Sequence, residues 1–135
     1  MKRRRCPRLL MPPVEADAST VDVVVEVGDW EHECCGPAIE RGDIVDLGCQ
    51  RGTDEHGRQT LSESRHEDSP EVRVRGRVRD IHVIRDGRPA EAVSRVPSGR
   101  ALRGFDPEDD GHLEAPWTGE PVAPGRDFLV EVHVG

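Results

Sequence analysis

Valine alternates with polar residues along three segments of the chain, and this alternation predicts three strands. In residues 21–27, valines occupy every odd position and acidic residues occupy two of the even ones. A spacing of two places every second side chain on the same face, so one face of such a strand is buried and the other is solvated. The same alternation predicts strands at residues 72–79 and 128–134.

The pattern of residues 72–79 changes further along the chain. Ile81 and Val83 fall on the face that arginines occupy earlier in the segment. A slip of one residue within continuous strand sequence indicates a β-bulge, which we place near Asp80. The Asp-Gly pair at residues 86–87 then has the composition of a two-residue hairpin turn.

Polar sequence rich in glycine and proline separates the strands. Residues 50–70 and 97–126 predict long mobile loops, and residues 1–20 predict a disordered basic and proline-rich tail. Four apolar side chains of the second loop are expected to anchor it to the core: Leu102, Phe105, Leu113 and Trp117. We therefore predict an all-β fold, a small barrel-like or sandwich domain of five to six short strands with long polar loops, formed by residues 21–135.

The composition agrees with a single small domain. The chain has 135 residues, of which 34% are hydrophobic, 3% are aromatic and 34% are charged. A chain of this length can bury a core, but the core has to be built from Val, Ile and Leu and must carry long solvated loops.

The charge distribution narrows the range of partners. The net charge is −8, and because five basic residues lie among the first eight, the rest of the chain carries about −13. Such an acidic body repels phosphates, so we expect no non-specific binding to nucleic acid. The basic start resembles that of a signal peptide, but the apolar run at residues 9–11 is too short for one. No segment approaches the roughly 18 apolar residues of a membrane span. We expect a soluble cytoplasmic protein with reduced cysteines.

Four arginines alternate along the third predicted strand. We name them the arginine ladder: Arg73, Arg75, Arg77 and Arg79. A row of cations on one face could bind an anion or RNA, but the aromatic side chains that stack on single strands are scarce in this chain. Because neighbouring strands carry acidic outer faces, we interpret the ladder as cross-strand ion pairing.

Ordinary strand or loop chemistry does not explain the composition of residues 30–43, which lie between the first strand and a further predicted strand at residues 44–49. This stretch holds a Trp, a His and two adjacent Cys, and zinc prefers Cys and His ligands. A zinc site would draw on His32, Cys34, Cys35, Cys49 and His56. The spacing lacks a C-x-x-C pair, so we expect no cofactor and keep zinc as the alternative. Without metal, one of the adjacent cysteines would pack in the core as a small hydrophobe.

Two further segments resemble functional sites, one a nucleophilic thiol and the other a calcium-binding loop. Cys35 precedes Gly36 and lies near His32, as a nucleophilic thiol could, but such a thiol also needs a base within hydrogen-bonding reach. The acidic residues 106–111 imitate the start of a calcium loop. Position 117 is Trp where a closing Glu is required, so we predict a solvated acidic turn.

The unexplained stretch also carries a spaced pattern: Trp30, Cys34-Cys35-Gly36 and Gly42-Asp43, followed by an apolar strand. This pattern resembles a family of small actinobacterial proteins classed as a domain of unknown function. Members of that family often carry an aromatic residue where this chain has Ile39. The resemblance extends over residues 21–134, although only residues 30–43 are specific. It implies a shared fold and, since the family has no assigned activity, it implies no chemistry.

The leading hypothesis is a non-enzymatic binding or interaction module with a protein partner. Its expected binding residues are Trp30, Cys34, Cys35 and Ile39. A partly apolar corner between two strands, in a chain without a catalytic constellation, motivates this hypothesis. A zinc-binding protein is the alternative, and a thiol-based enzyme is the third hypothesis.

Overall fold

The fold is seen in a computed structural model, which describes residues 21–28, 32–34, 36–64 and 69–134. The predicted tail at residues 1–20 therefore lies outside the described residues. The elements in chain order are β1 (Val21–Gly28), β2 (Ile39–Glu40), β3 (Ile44–Thr53), β4 (Gln59–Glu63), β5 (Val72–Ile84), β6 (Glu91–Val93), β7 (Arg95–Val96), α1 (Gly99–Leu102), β8 (Leu113–Glu114), β9 (Pro121–Val122) and β10 (Asp127–Val134). These elements confirm the predicted all-β class.

Five strands close into a ring, which makes the domain a small barrel. β1 pairs with β10, β10 with β5, β5 with β3, and β3 with β4, all antiparallel. β4 returns to β1 through a single parallel pair, Glu26 with Ser62. The last strand, β10, lies between β1 and β5, so it is paired on both sides.

The core lies inside this ring and is built from the alternating positions that the sequence indicates. The side chains of Val25, Val27, Val130 and Val132 are fully buried between the strands. The face of the predicted strand 44–49 is also confirmed, because Leu47 and Cys49 are buried. Val, Ile and Leu supply most of the core, as the composition requires.

The predicted bulge is confirmed next to Asp80. Val132 lies opposite Val78 and Glu131 lies opposite Asp80, so Arg79 is the extra residue on β5. The extra residue lets Val78 and Ile81 both face the core. A continuous strand of 13 residues can thus bend around the barrel.

The arginine ladder is paired across strands, as predicted. Arg73 and Arg75 both contact Asp46, with N–O distances of 2.9 and 3.0 Å. Arg79 contacts Asp22 at 3.5 Å. The fourth member, Arg77, donates from Nη1 to the carbonyl oxygen of Gly42 at 2.8 Å.

The prediction of one long loop at residues 50–70 is wrong. β3 continues to Thr53 and turns back into β4. Asp54 holds the turn, because its Oδ1 accepts hydrogen bonds from the backbone N–H groups of His56 and Arg58. The strand residues here are mostly polar and solvated, so the hydrophobic alternation that reveals a strand is missing.

The prediction for residues 97–126 is wrong in part. The segment contains α1, β8 and β9, and Leu113 is buried in the core as an anchor. Leu102 packs against the core from its edge. Phe105 and Trp117 are instead 62% and 80% exposed, because Phe105 directly follows a turn and Trp117 lies within the turn between β8 and β9. In the part of the chain that the structure describes, no helix has the length and apolarity that crossing a membrane requires.

Candidate binding site

The stretch that the sequence singles out forms a tight corner after β1. Residues 32–34 are helical, and the N–H of Gly36 donates to the carbonyl of His32 at 2.7 Å. We call residues 32–34 and Gly36 the corner. Gly36 packs directly on the imidazole, since a Cβ at this position would lie 2.1 Å from Nδ1 of His32. Only glycine allows this approach without displacing the ring.

The corner is joined to the segment that leads into α1. The Nε2 of His32 lies 2.7 Å from the carbonyl oxygen of Pro97. Because a carbonyl only accepts, Nε2 carries the hydrogen of this buried imidazole. The N–H of Gly99 donates to the carbonyl of Gly36 at 2.9 Å, and a Cβ at position 99 would lie 2.3 Å from the carbonyl oxygen of His32. Two glycines and a histidine thus fix two chain segments against each other.

An ion pair extends this contact to the segment before β10. Glu33 is only 8% exposed, and both of its carboxylate oxygens accept from the guanidinium of Arg126. The bond from Nε of Arg126 to Oε2 of Glu33 is 2.6 Å long. A bidentate pair of this kind fixes geometry as well as charge.

α1 places further side chains beside the corner. Its N-terminus is capped by Ser98, whose Oγ accepts from the N–H of Ala101 at 3.1 Å. Gly104 then takes a positive φ of 79°, which reverses the chain and exposes Phe105. The guanidinium carbon of Arg103 lies 4.9 Å from the centroid of the Phe105 ring, within cation–π range.

These elements enclose an open cleft of about 810 Å³, which we call the corner cleft. Its wall combines apolar surface, two cations and two carboxylates. The side chains that define it are Glu33, Leu102, Arg103, Phe105, Asp110 and Arg126. Volumes of several hundred cubic ångströms are typical of sites for small molecules or peptide side chains.

A protein-family model described as a family of unknown function, DUF6578, matches residues 19–134. The chain belongs to DUF6578. The match includes the whole barrel and the corner, so the resemblance to a family of unknown function is confirmed, whereas an actinobacterial source stays a prediction. Neither the curated proteins nor the solved structures contain a match to this DUF6578 chain.

Two of the four expected binding residues of this DUF6578 member are among the residues that the structure describes. Trp30 and Cys35 lie outside the described residues. Cys34 is exposed at the corner, in the turn that carries Glu33. Ile39 is buried in β2 opposite Val96, so it belongs to the core and offers no surface to a partner.

The expected zinc ligands that the structure describes lie in three places: His32 and Cys34 at the corner, Cys49 in the core and His56 in an exposed turn. His32 is buried at the corner, and His56 lies in the exposed turn between β3 and β4. Cys49 is in the core, where its Sγ lies 3.6 Å from the carbonyl of Leu47. Burial, reinforced by the charge of Glu63, raises the pKa of the Cys49 thiol to about 11. A thiol that stays protonated is a poor nucleophile at neutral pH, and zinc would have to displace its proton in order to bind there. A zinc site that uses Cys35 stays a prediction.

Among the described residues, three ligand-type side chains come within 4.8 Å of one another only at Asp109, Asp110 and His112. Each of them is already bound within the chain. Asp109 accepts two hydrogen bonds from Arg95, of 2.6 and 2.8 Å. His112 contacts Asp110 through Nδ1 and Glu114 through Nε2, and these contacts raise its pKa. The group is an internal network that shapes the acidic turn predicted from the sequence.

Sequence reasoning missed the residues that build the cleft. Arg126 is 93 positions from Glu33, and no local pattern marks their pairing. Gly99 and Phe105 lie in the segment interpreted as a mobile loop. The sequence Ser98-Gly99 followed by Ala101-Leu102 does contain one usable indication, because Ser is favoured as an N-cap.

Proposed function

We propose that this protein is a non-enzymatic binding module, and that its corner cleft receives a carboxylate-bearing segment of a partner protein. The observation that carries the proposal is the exposure of Phe105 in the wall of the cleft. The chain contains only two Phe residues, and Phe128 fills the core. A large aromatic side chain left at a concave surface supports recognition of an apolar group.

The cations of the cleft support recognition of an anionic group. Arg103 stacks on Phe105, and in the described part of the chain no carboxylate lies within ion-pairing distance of its guanidinium. Its N–H groups are therefore available to a ligand. A guanidinium matches a carboxylate through two parallel hydrogen bonds, which gives direction to the contact.

The floor of the cleft supports binding without rearrangement. Glu33 is fixed by Arg126, and the corner beneath it is fixed to Pro97 and Gly99. A rigid wall reduces the entropy that a ligand has to overcome when it binds. Two groups that could be reactive are not available for catalysis. The Cys49 thiol is buried, and both ring nitrogens of His112 contact carboxylates of the chain.

Protein-observed NMR with small peptides tests the proposal. N-acetyl-Leu-Leu with a free carboxylate is expected to shift the amides of residues 101–105 and 125–126, with an affinity in the range of about 1 mM. The same dipeptide with an amidated end should bind several-fold more weakly, because it lacks the charge that Arg103 recognises.

Phe105→Ala is expected to abolish these shifts, and Trp117→Ala is the matched control because it removes an exposed aromatic elsewhere. Two results would contradict the proposal. One is the absence of saturable shifts at about 10 mM dipeptide. The other is equal binding of the carboxylate and amide forms.

A further inference from the structure

A second exposed surface lies outside the barrel, at the turn between β2 and β3. It combines two exposed apolar side chains with two arginines. We call it the Arg–Trp face: Arg41, Ile44, Arg77 and Trp117. It shares no residue with the corner cleft.

The members of this face are connected through the turn. The guanidinium carbon of Arg41 lies 4.2 Å from the centroid of the Trp117 ring. Arg41 is held in place by the carbonyl of Arg79 at 3.1 Å and by Asp80 at 3.3 Å. Gly42, the next residue, accepts from Arg77, and Arg77 lies directly opposite Ile44 in the pairing of β3 with β5.

The apolar part of the face is large for a protein with so few aromatic residues. Trp117 is 80% exposed and Ile44 is 69% exposed. Neither side chain contributes to the core, and Arg41 fixes the ring of Trp117 at one place on the surface. Trp and Arg are the residue types most enriched where interfaces gain their binding energy.

The arginines of the ladder outnumber the carboxylates that contact them. Its four guanidiniums are accompanied by two carboxylates, Asp46 and Asp22. Asp22 also contacts His133. Within the described residues Arg77 has a carbonyl partner but no acidic one. Arg77 is therefore the member of the ladder whose charge no described carboxylate compensates, whereas the charge of the surrounding outer face is mixed, because Asp80 and Glu131 also lie there.

We propose that the Arg–Trp face binds an extended acidic segment of a partner protein, with an aliphatic side chain on Ile44 and Trp117 and a carboxylate on Arg77. Alternate side chains of an extended peptide are spaced by about 6.8 Å, the same spacing that separates successive arginines of the ladder. Two carboxylates of the chain already bind ladder arginines, Asp46 at Arg73 and Arg75 and Asp22 at Arg79.

A protein segment fits this face better than a single-stranded nucleic acid. Ile44 is aliphatic and provides no plane for a base to stack on. Trp117 is the one exposed aromatic of the face, whereas strands of nucleic acid are usually held by successive aromatic platforms. The binding site is separate from the corner cleft, so this proposal does not depend on the proposed function.

The test is selection from a phage-displayed library of random peptides of about 12 residues, with the wild-type protein as bait. The double variant Arg77→Gln with Trp117→Ala serves for counter-selection. Both positions are exposed, so the variant should fold, and circular dichroism checks this. Peptides enriched on the wild-type protein are expected to alternate acidic and aliphatic residues.

Synthetic versions of the enriched peptides then give affinities by fluorescence anisotropy. Arg77→Gln and Trp117→Ala should each weaken binding about tenfold or more, and Arg88→Gln, at an exposed arginine of the turn between β5 and β6, should leave it unchanged. Failure to enrich any peptide over the double variant overturns the proposal. So do enriched peptides without acidic residues, or an oligothymidine that binds with the same dependence on Arg77 and Trp117.

Discussion

The imidazole of His32 occupies the space that a side chain at position 36 would need. This single contact explains why a glycine follows the two cysteines, since the ring must lie there to reach the carbonyl of Pro97. The residues of the corner are therefore chosen for packing at least as much as for any chemistry that their types suggest.

Gly36→Ala is expected to destabilise the protein by about 1–3 kcal/mol, because its methyl group would overlap the buried ring. Urea unfolding followed by circular dichroism measures the change. Gly52→Ala is the matched control: a Cβ there meets only the hydroxyl of Thr60, at 3.1 Å, and should change stability by less than about 0.5 kcal/mol. An equal effect of the two substitutions would refute the packing explanation.

The thiols of Cys34 and Cys49 should differ strongly in reactivity. Cys34 is exposed, whereas Cys49 is buried with a pKa of about 11. Iodoacetamide at pH 8 should label Cys34 in the native protein and label Cys49 only in urea, as read by mass spectrometry of the digested chain. Fast native labelling of Cys49 would show that its site opens to solvent.

At the scale of elements, the ion pair of Arg95 with Asp109 attaches β7 to the acidic turn. Asp109 accepts two hydrogen bonds from the guanidinium, which lower the pKa of its carboxyl from 3.8 to about 2. Folding therefore favours the ionised form. The contribution to stability is complete above pH 3.8 and is lost as the pH falls through about 2.

Asp109→Asn should cost about 1–2 kcal/mol at neutral pH, and the difference from the wild type should shrink as the pH falls from 4 toward 2. Urea midpoints of both proteins across this range measure it. Asp54→Asn is a suitable comparison, because Asp54 caps an exposed turn and its carboxylate lies 3.9 Å from Nε of Arg58, beyond hydrogen-bonding distance. A constant difference across the range would show that the pair does not carry the effect.

Elements with alternating valines could be predicted from the sequence, and polar ones could not. In β1, β5 and β10 hydrophobic residues recur at every second position, which predicts their buried faces. The change of this pattern at Asp80 predicts the bulge. β4 has no such alternation, because only Leu61 among its residues is hydrophobic and the strand is held by its neighbour β3. β4 forms because it pairs with another strand, and such pairing leaves no pattern in the local sequence.

At the scale of the whole molecule, the candidate site was predictable at its centre and not at its walls. The unusual composition of residues 30–43 indicates a site at the corner, and Glu33 from this stretch lines the cleft. The opposite wall comes from residues 101–105 and 124–126, which only the folded chain brings there. Phe105 and Trp117 were expected to be anchors because large apolar residues are usually buried, but both are exposed in the two surfaces proposed to bind partners.

The metal content of the whole protein separates the binding module from the zinc alternative. We propose that purified protein carries less than about 0.1 zinc per chain, because among the described residues no three members of the ligand set come together. Elemental analysis after dialysis against zinc and then against buffer measures this. Stoichiometric zinc that a Cys35→Ala variant fails to retain would replace the binding-module proposal with a metal site.

The neighbouring positions of β1 and β10 have a consequence for how the chain can be connected. Val21, the first residue of β1, pairs with Val134, the last residue of β10. A loop of about two to four residues could therefore join them as an ordinary hairpin. The exposed turn at residues 54–58 would provide the new ends. The barrel is thus suited to circular permutation, because its strand pairing does not depend on which of these connections is cut.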